Sequence, residues 1–175
     1  MSHKGFDILK EQTINVSADE LWQLVGPGFV EVYKWSSNVD YATGSGESKF
    51  AGAVCSERAC EVNVMGFSSI KEKLTNYDQE KMSLTYEVND GMPGFITKAE
   101  NQWTVVPISH GRSKLVMKAV FRSKGLMGTL MNAMMKKKMD ETLVTVLNDA
   151  KVYAETGEIS SAKRQRMSEL ARKAA

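Results

Sequence analysis

From Val62 to Arg122 the chain alternates apolar and polar residues with a period of two and breaks at turn residues. Successive side chains of a strand point to opposite faces, so this pattern predicts half-buried strands rather than helices. Val62 and Val64 lead to a break at Met65-Gly66. Ser68, Ile70, Glu72 and Leu74 then share one face, against Ser69, Lys71 and Lys73. After a turn at Asn76 to Lys81 come Met82, Leu84, Tyr86 and Val88, opposed by Ser83, Thr85 and Glu87. Asn89-Asp90-Gly91 and Pro93-Gly94 are the next turn signals. Thr97, Ala99, Asn101, Trp103 and Val105 form another set, ending at Pro107. Ser109-His110-Gly111 then turns the chain into Leu115, Met117, Ala119 and Phe121. Strands joined by such short turns predict an antiparallel meander with one wet face.

Helical patterns bracket this sheet. Ser17 followed by Glu20 three residues on is a capping-box signature that opens a short helix containing Leu21, Trp22, Leu24 and Val25, stopped by Gly26-Pro27-Gly28. A second short helix is expected around Phe29 to Trp35. Near the other end Met135, Met139, Leu143, Val146, Leu147, Ala150, Tyr153 and Ala154 recur at helical spacing. Lys136, Lys137, Asp140, Glu141 and Asp149 take other directions. This helix is expected to start between Gly125 and Thr129 and to end near Gly157. The order is a strand, two short helices, about six strands and one long helix, an α+β layer architecture.

With 175 residues, 42% hydrophobic and 25% charged, the chain suits one globular domain. A net charge of only +2 gives no electrostatic footprint for nucleic acid. No stretch approaches the roughly 20 apolar residues of a membrane span. Residues 1–10 hold no apolar run for a signal peptide. Cys55 and Cys60 fall in what reads as one strand, on opposite faces, so a disulfide is not expected and reduced thiols fit a cytoplasmic location. With only His3 and His110 beside them, no metal-ligand spacing arises. The sequence calls for no cofactor.

These features, taken in order, resemble the polyketide cyclase/dehydrase and lipid-transport branch of the START-like superfamily, over about Asp7 to Glu155. The resemblance rests on Ile14 to Trp22 at the opening strand and helix, and on Trp35 before the second strand. It also rests on Gly52-Ala53-Val54-Cys55-Ser56-Glu57-Arg58, on Glu72-Lys73-Leu74 with Asp78 following, and on Tyr86 with the Gly91-Met92-Pro93 turn. Relatives carry Arg where Lys73 stands. The resemblance implies a helix-grip fold: a curved antiparallel sheet of six or seven strands wrapped around one long C-terminal helix. It also implies an elongated cavity between helix and sheet, with loops Val64 to Phe67 and Asp90 to Phe95 at its mouth. Similar domains bind lipids, sterols, polyketides or plant hormones, and some cyclise or dehydrate polyketides.

The inward strand face nominates the ligand-binding residues. Arg58, Cys60, Val62, Ile70 and Glu72 come from its first half, and Tyr86, Val88, Asn101 and Trp103 from its middle. Met117 and Phe121 complete it, with the small Ala119 between them on the same face. Met131, Met135 and Met139 face them from the helix, and Met92 and Phe95 from the mouth loop. The chain has 11 methionines, an adaptable side chain suited to varied apolar shapes or to filling an irregular core. Glu72 shares its face with Ile70, so a carboxylate is expected in the interior, with Arg58 as the natural partner. It reads as half of a satisfied ion pair, as an anchor for a ligand head group, or as the acid/base of a cyclase. His110 reads as solvated and Cys60 as an inert buried thiol.

The expected organisation is a START-like domain over 1–157 and a basic tail over 158–175, frayed or disordered. From Ser160 to Ala175 that tail holds Lys163, Arg164, Arg166, Arg172 and Lys173 against Glu169. Weak contact with a membrane surface or a protein is its sharper reading, although Met167, Leu170 and Ala171 make a thin apolar face. The primary expectation is therefore a carrier or sensor of a small hydrophobic molecule. The alternative is a cyclase or dehydratase using Glu72. The oligomeric state is not readable.

Overall fold

The alternation described above produces a seven-stranded, wholly antiparallel sheet in the computed structural model, which describes residues 4–175; His3 lies outside them. β1 (Lys4–Ile14) is followed by α1 (Ala18–Val25) and a 3-10 helix (Val30–Lys34). The meander then runs through β2 (Val39–Ser45), β3 (Glu57–Val64), β4 (Phe67–Asp78), β5 (Ser83–Asp90), β6 (Ile96–Ser109) and β7 (Arg112–Ser123). α2 (Gly125–Thr156) and α3 (Ser161–Ala174) follow. The strand order β1-β7-β6-β5-β4-β3-β2 brings the first strand back beside the last. Register shifts between Glu61 and Val64 and between Leu74 and Asn76 bend the sheet, as extra residues in one strand of a pair do. The curved sheet with α2 laid across it is the helix-grip architecture.

Local signals set the boundaries of the helices. Ser17 Oγ accepts the Glu20 N–H at 3.2 Å and Glu20 Oε2 accepts the Ser17 N–H at 2.9 Å, a complete capping box that turns Leu21, Trp22 and Val25 into the core. Gly157 ends α2 at φ 71°, a left-handed conformation that glycine adopts without steric cost. The stripe Met135, Met139, Leu143, Val146, Leu147 and Ala150 is buried against the sheet, where α2 packs chiefly on β1 and β7. Tyr153 and Ala154 are partly buried beside it.

Three features differ from expectation. Asp149, placed by spacing among the polar directions of α2, is fully buried. Its Oδ2 accepts the Ser37 N–H and Oγ–H, both at 2.7 Å, and its Oδ1 accepts the Ser160 hydroxyl. The basic tail is a docked helix rather than a frayed one. Ser160 caps α3, Lys163 is buried with its ammonium donating to the Val39 carbonyl at 2.8 Å, and Arg166 forks onto Asp40 at 2.5 and 2.8 Å. Two of the five basic residues that made the tail look solvated, Lys163 and Arg166, thus tie it down. Cys55 precedes β3 instead of sharing it with Cys60, and both are buried free thiols. β2 has no readable alternation because it is an edge strand on which only Ala42 is fully buried.

Candidate functional site

Between α2 and the concave face of the sheet lies a cavity of about 100 Å³. Ligand clefts usually span roughly 300–1,000 Å³, so this cavity suits a small molecule and must widen for a larger one. Its wall is apolar over most of its extent. Val62, Ile70 and Val88 line it from β3, β4 and β5, and Met117 and Phe121 from β7. Met139, Leu143 and Val146 come from α2. Val64, Met65, Phe67 and Met92 lie at the end formed by the β3–β4 turn and the β5–β6 loop.

One charged pair interrupts this apolar wall. Arg58 on β3 and Glu72 on β4 face each other in register, and both are buried. Arg58 Nε and Nη2 converge on a single oxygen, Glu72 Oε2, at 2.7 and 2.5 Å. The Arg58 Nη1 donates to the Phe29 carbonyl. The guanidinium lies 3.8 Å from the Phe29 ring centroid and 5.3 Å from that of Tyr86. Burial opposes the charge on Arg58, but the Glu72 carboxylate outweighs it, and the guanidinium is held more firmly protonated than usual. Tyr86 is pushed the same way, its phenol kept neutral by burial first and by Glu72 next. Phe29 and Tyr86 rings sit 5.6 Å apart, and Tyr86 meets Trp103 edge-on at 6.0 Å.

Beyond the pair, the wall carries polar atoms without partners among the described residues. Trp103 Nε1, a donor, and Asn101 Oδ1, an acceptor, are both buried and unpaired. Both residues line the cavity from β6. Trp35 Nε1 is likewise unpaired, its ring 6.4 Å from Trp103. A buried polar group left unpaired costs on the order of 1–3 kcal/mol, and a molecule that satisfies it recovers that cost. Among the described residues no group of three or more His, Cys, Asp or Glu is arranged to hold a metal ion.

Most of the sequence-nominated residues meet at this cavity: Arg58, Val62, Ile70 and Glu72, then Tyr86, Val88, Met92, Asn101 and Trp103, then Met117, Phe121 and Met139. Four do not line it. Cys60 is buried with its Sγ 3.5 Å from Glu72 Oε2, taken up by the ion pair. Phe95 packs on the core, and its carbonyl accepts the Lys124 N–H at 2.9 Å. Met131 and Met135 lie too near the start of α2; the cavity faces Met139 to Val146, roughly two turns further along. Sequence reasoning missed Val32, Ser36 and Asn38, supplied by the 3-10 helix and the turn after it. Irregular segments carry no periodicity by which to read an inward face.

Burial pushes the Cys60 thiol up to about 12, with the Glu72 carboxylate adding and Arg58 opposing. At pH 8 the native thiolate fraction is then on the order of a thousandfold below that of a free cysteine. Native-state alkylation of Cys60 by iodoacetamide is expected to be slowed by about that factor, and mass mapping of the labelled site checks it. Labelling as fast as a model thiol would show Cys60 to be outside the ion-pair cluster. An unfolded thiol ionises near 9.0 and the native one near 12. The unfolded chain therefore releases this proton first, and the thiol's contribution to stability is full below about pH 9 and is lost as pH rises toward 12.

The family model for "Polyketide cyclase / dehydrase and lipid transport" matches residues 6–147. The chain belongs to that family. Among solved structures, the Zhui aromatase/cyclase from Streptomyces sp. R1128 is similar with a TM-score of 0.71 at 15% identity, over 86% of this chain and 93% of that one. A START superfamily protein from Mycobacterium smegmatis gives 0.71 at 17%, over 90% and 100%. Truncated norcoclaurine synthase from Thalictrum flavum gives 0.69 at 16%, over 90% and 98%. At these identities the likeness is one of fold. None of the curated proteins matches the chain. Membership of the polyketide cyclase/dehydrase and lipid transport family supports hydrophobic-ligand binding or cyclisation in general. No helix of the described residues is long and apolar enough to cross a membrane.

Proposed function

We propose that the protein is a carrier or sensor that encloses a small, mostly apolar molecule with one hydroxyl-like polar end. The observation that carries this reading is the pairing of an unsatisfied donor, Trp103 Nε1, with an unsatisfied acceptor, Asn101 Oδ1, in a cavity wall that is apolar over most of its extent. A hydroxyl both donates and accepts, so one such group matches both. Burial of the apolar remainder provides affinity, and the two polar atoms orient it. Met92 and Met139 supply adaptable walls where the cavity must widen.

The test uses N-phenyl-1-naphthylamine as an apolar fluorescent probe. Wild-type protein is expected to enhance its fluorescence, and Val88→Trp, which fills the cavity from a partly exposed strand position, is expected to abolish the signal with circular dichroism unchanged. Undiminished enhancement in Val88→Trp would put the probe outside the cavity and reject the reading. Native mass spectrometry of freshly purified protein then gives the mass of any co-purifying molecule.

A cyclase or dehydratase using Glu72 as acid/base is the second reading, favoured by the carboxylate's place in the cavity wall. Against it, two guanidinium nitrogens already occupy Oε2. Turnover of a polyketide-like substrate that is lost in Glu72→Gln, with probe binding retained, would support the enzyme reading over the carrier.

A further inference from the structure

The start of α2 breaks the rule that a helix on a globular protein turns its apolar residues inward. Leu126 is 77% exposed, Met127 56%, Leu130 70% and Met134 46%. Leu126, Leu130 and Met134 recur every four residues, with Met127 beside them, so they form one continuous stripe. Gly128, Met135 and Met139 are buried on the opposite side, facing the protein. The first turns of this helix are therefore apolar toward both the core and the solvent.

The charges flanking the stripe as far as Met139 are all of one sign; beyond them Asp140 is paired with Lys10 at 2.8 Å, and the exposed Glu141 follows one turn after Lys137. Lys124, Lys136, Lys137 and Lys138 are exposed, and no acidic residue occurs between Lys124 and Met139. Lys124 stands just before the stripe and Lys136 to Lys138 just after it, about 20 Å apart along the axis at 1.5 Å per residue. On the strands, the carboxylates of Asp7 and Asp90 are paired, with Arg122 at 2.6 Å and Lys71 at 3.5 Å. The helix start has no capping side chain and no acidic residue in its first turn, leaving free N–H groups and the positive end of the dipole in the same place.

We infer that this face is a docking surface for an anionic lipid bilayer, with the apolar stripe entering the interface and lysines at both ends meeting phosphate groups. An apolar stripe framed by lysines is the composition of helices that lie in the membrane interface, and charge complementarity selects an anionic surface. The Lys124 N–H bond to the Phe95 carbonyl joins this helix start to the β5–β6 loop, from which Met92 lines the cavity. Docking in this pose seats that rim of the cavity on the bilayer. The surface goes beyond the cavity-binding function and does not depend on it. It also relocates the membrane contact expected of the basic tail, since α3 spends Lys163 and Arg166 on internal partners.

The experiment is co-sedimentation of the full chain with vesicles of phosphatidylcholine alone and of phosphatidylcholine mixed with phosphatidylglycerol. Binding is expected to the mixed vesicles only, and to weaken with added salt. Lys137→Gln with Lys138→Gln is expected to lower the partition coefficient by about thirtyfold, from roughly fivefold for each lysine charge removed. Leu126→Glu with Leu130→Glu is expected to lower it at least about tenfold with the thermal melt unchanged, because both side chains are already in water. Arg164→Glu with Lys173→Glu on α3 is the control and is expected to leave binding in place. Wild-type protein remaining in the supernatant, or undiminished binding of the Leu126→Glu/Leu130→Glu variant, would overturn the inference. So would a dimer seen by light scattering that Leu130→Glu dissociates, which would make a second copy of the chain the occupant of the stripe.

Discussion

Replacing Arg58 by methionine is expected to lower the stability of the fold by about 3–5 kcal/mol, the cost of stranding one charge of a buried pair. The expectation follows from the surroundings of the pair. Arg58 is 2% exposed and Glu72 4%, with Phe29 and Tyr86 rings packed around the guanidinium. The substitution leaves the carboxylate buried without its partner, and the Phe29 carbonyl loses its donor as well. For a chain of this size the loss is a fall in Tm of roughly 6–20 °C. The double variant Arg58→Met/Glu72→Leu separates pairing from packing. Removing both charges together is often neutral, so the double variant is expected to regain most of the loss in urea melts. A single variant as stable as wild type would mean that the pair is solvated, and a double variant no better than the single would assign the cost to lost packing.

The same pair shows how far the sequence could be read. Strand parity put Arg58 and Glu72 on the inward face, because a period of two converts position directly into direction. Their mutual contact then required only that β3 and β4 be neighbours, which the Met65-Gly66 turn ensures. The α2 stripe and both of its ends were legible for the analogous helical reason. What was not legible depends on where elements stop touching. Met131 and Met135 share a face with Met139, yet only Met139 reaches the cavity, because the relative placement of helix and sheet along the helix axis leaves no trace in periodicity. The unpaired atoms of Asn101 and Trp103 were equally hidden, since pairing is a property of the neighbours rather than of the residue. The tail misled for a different reason. Its composition is that of a solvated helix, and the groups that dock it, Asp40, Val39 and Asp149, lie more than ten residues away or on other elements.

Asp149 is where those distant segments meet, and its loss is expected to be the second large effect. One carboxylate holds the turn after the 3-10 helix through the Ser37 N–H and hydroxyl, and holds the start of α3 through the Ser160 hydroxyl. Hydrogen bonds to a buried charged group contribute about 1.5–3 kcal/mol each. Asp149→Leu, which removes three of them and leaves the Ser37 N–H without an acceptor, is expected to cost about 3–5 kcal/mol after partial relaxation. The distinguishing consequence is local. Lys163 is buried in the native protein, so trypsin is expected to spare it there and to cut after Lys163 first in Asp149→Leu, before any site in the sheet. Ser160→Ala removes only one of the bonds and is expected to speed the same cleavage with a smaller fall in Tm. If Asp149→Leu melts with wild type and Lys163 stays protected, α3 is held by the Arg166–Asp40 pair rather than by Asp149, and Arg166→Ala should then release it instead.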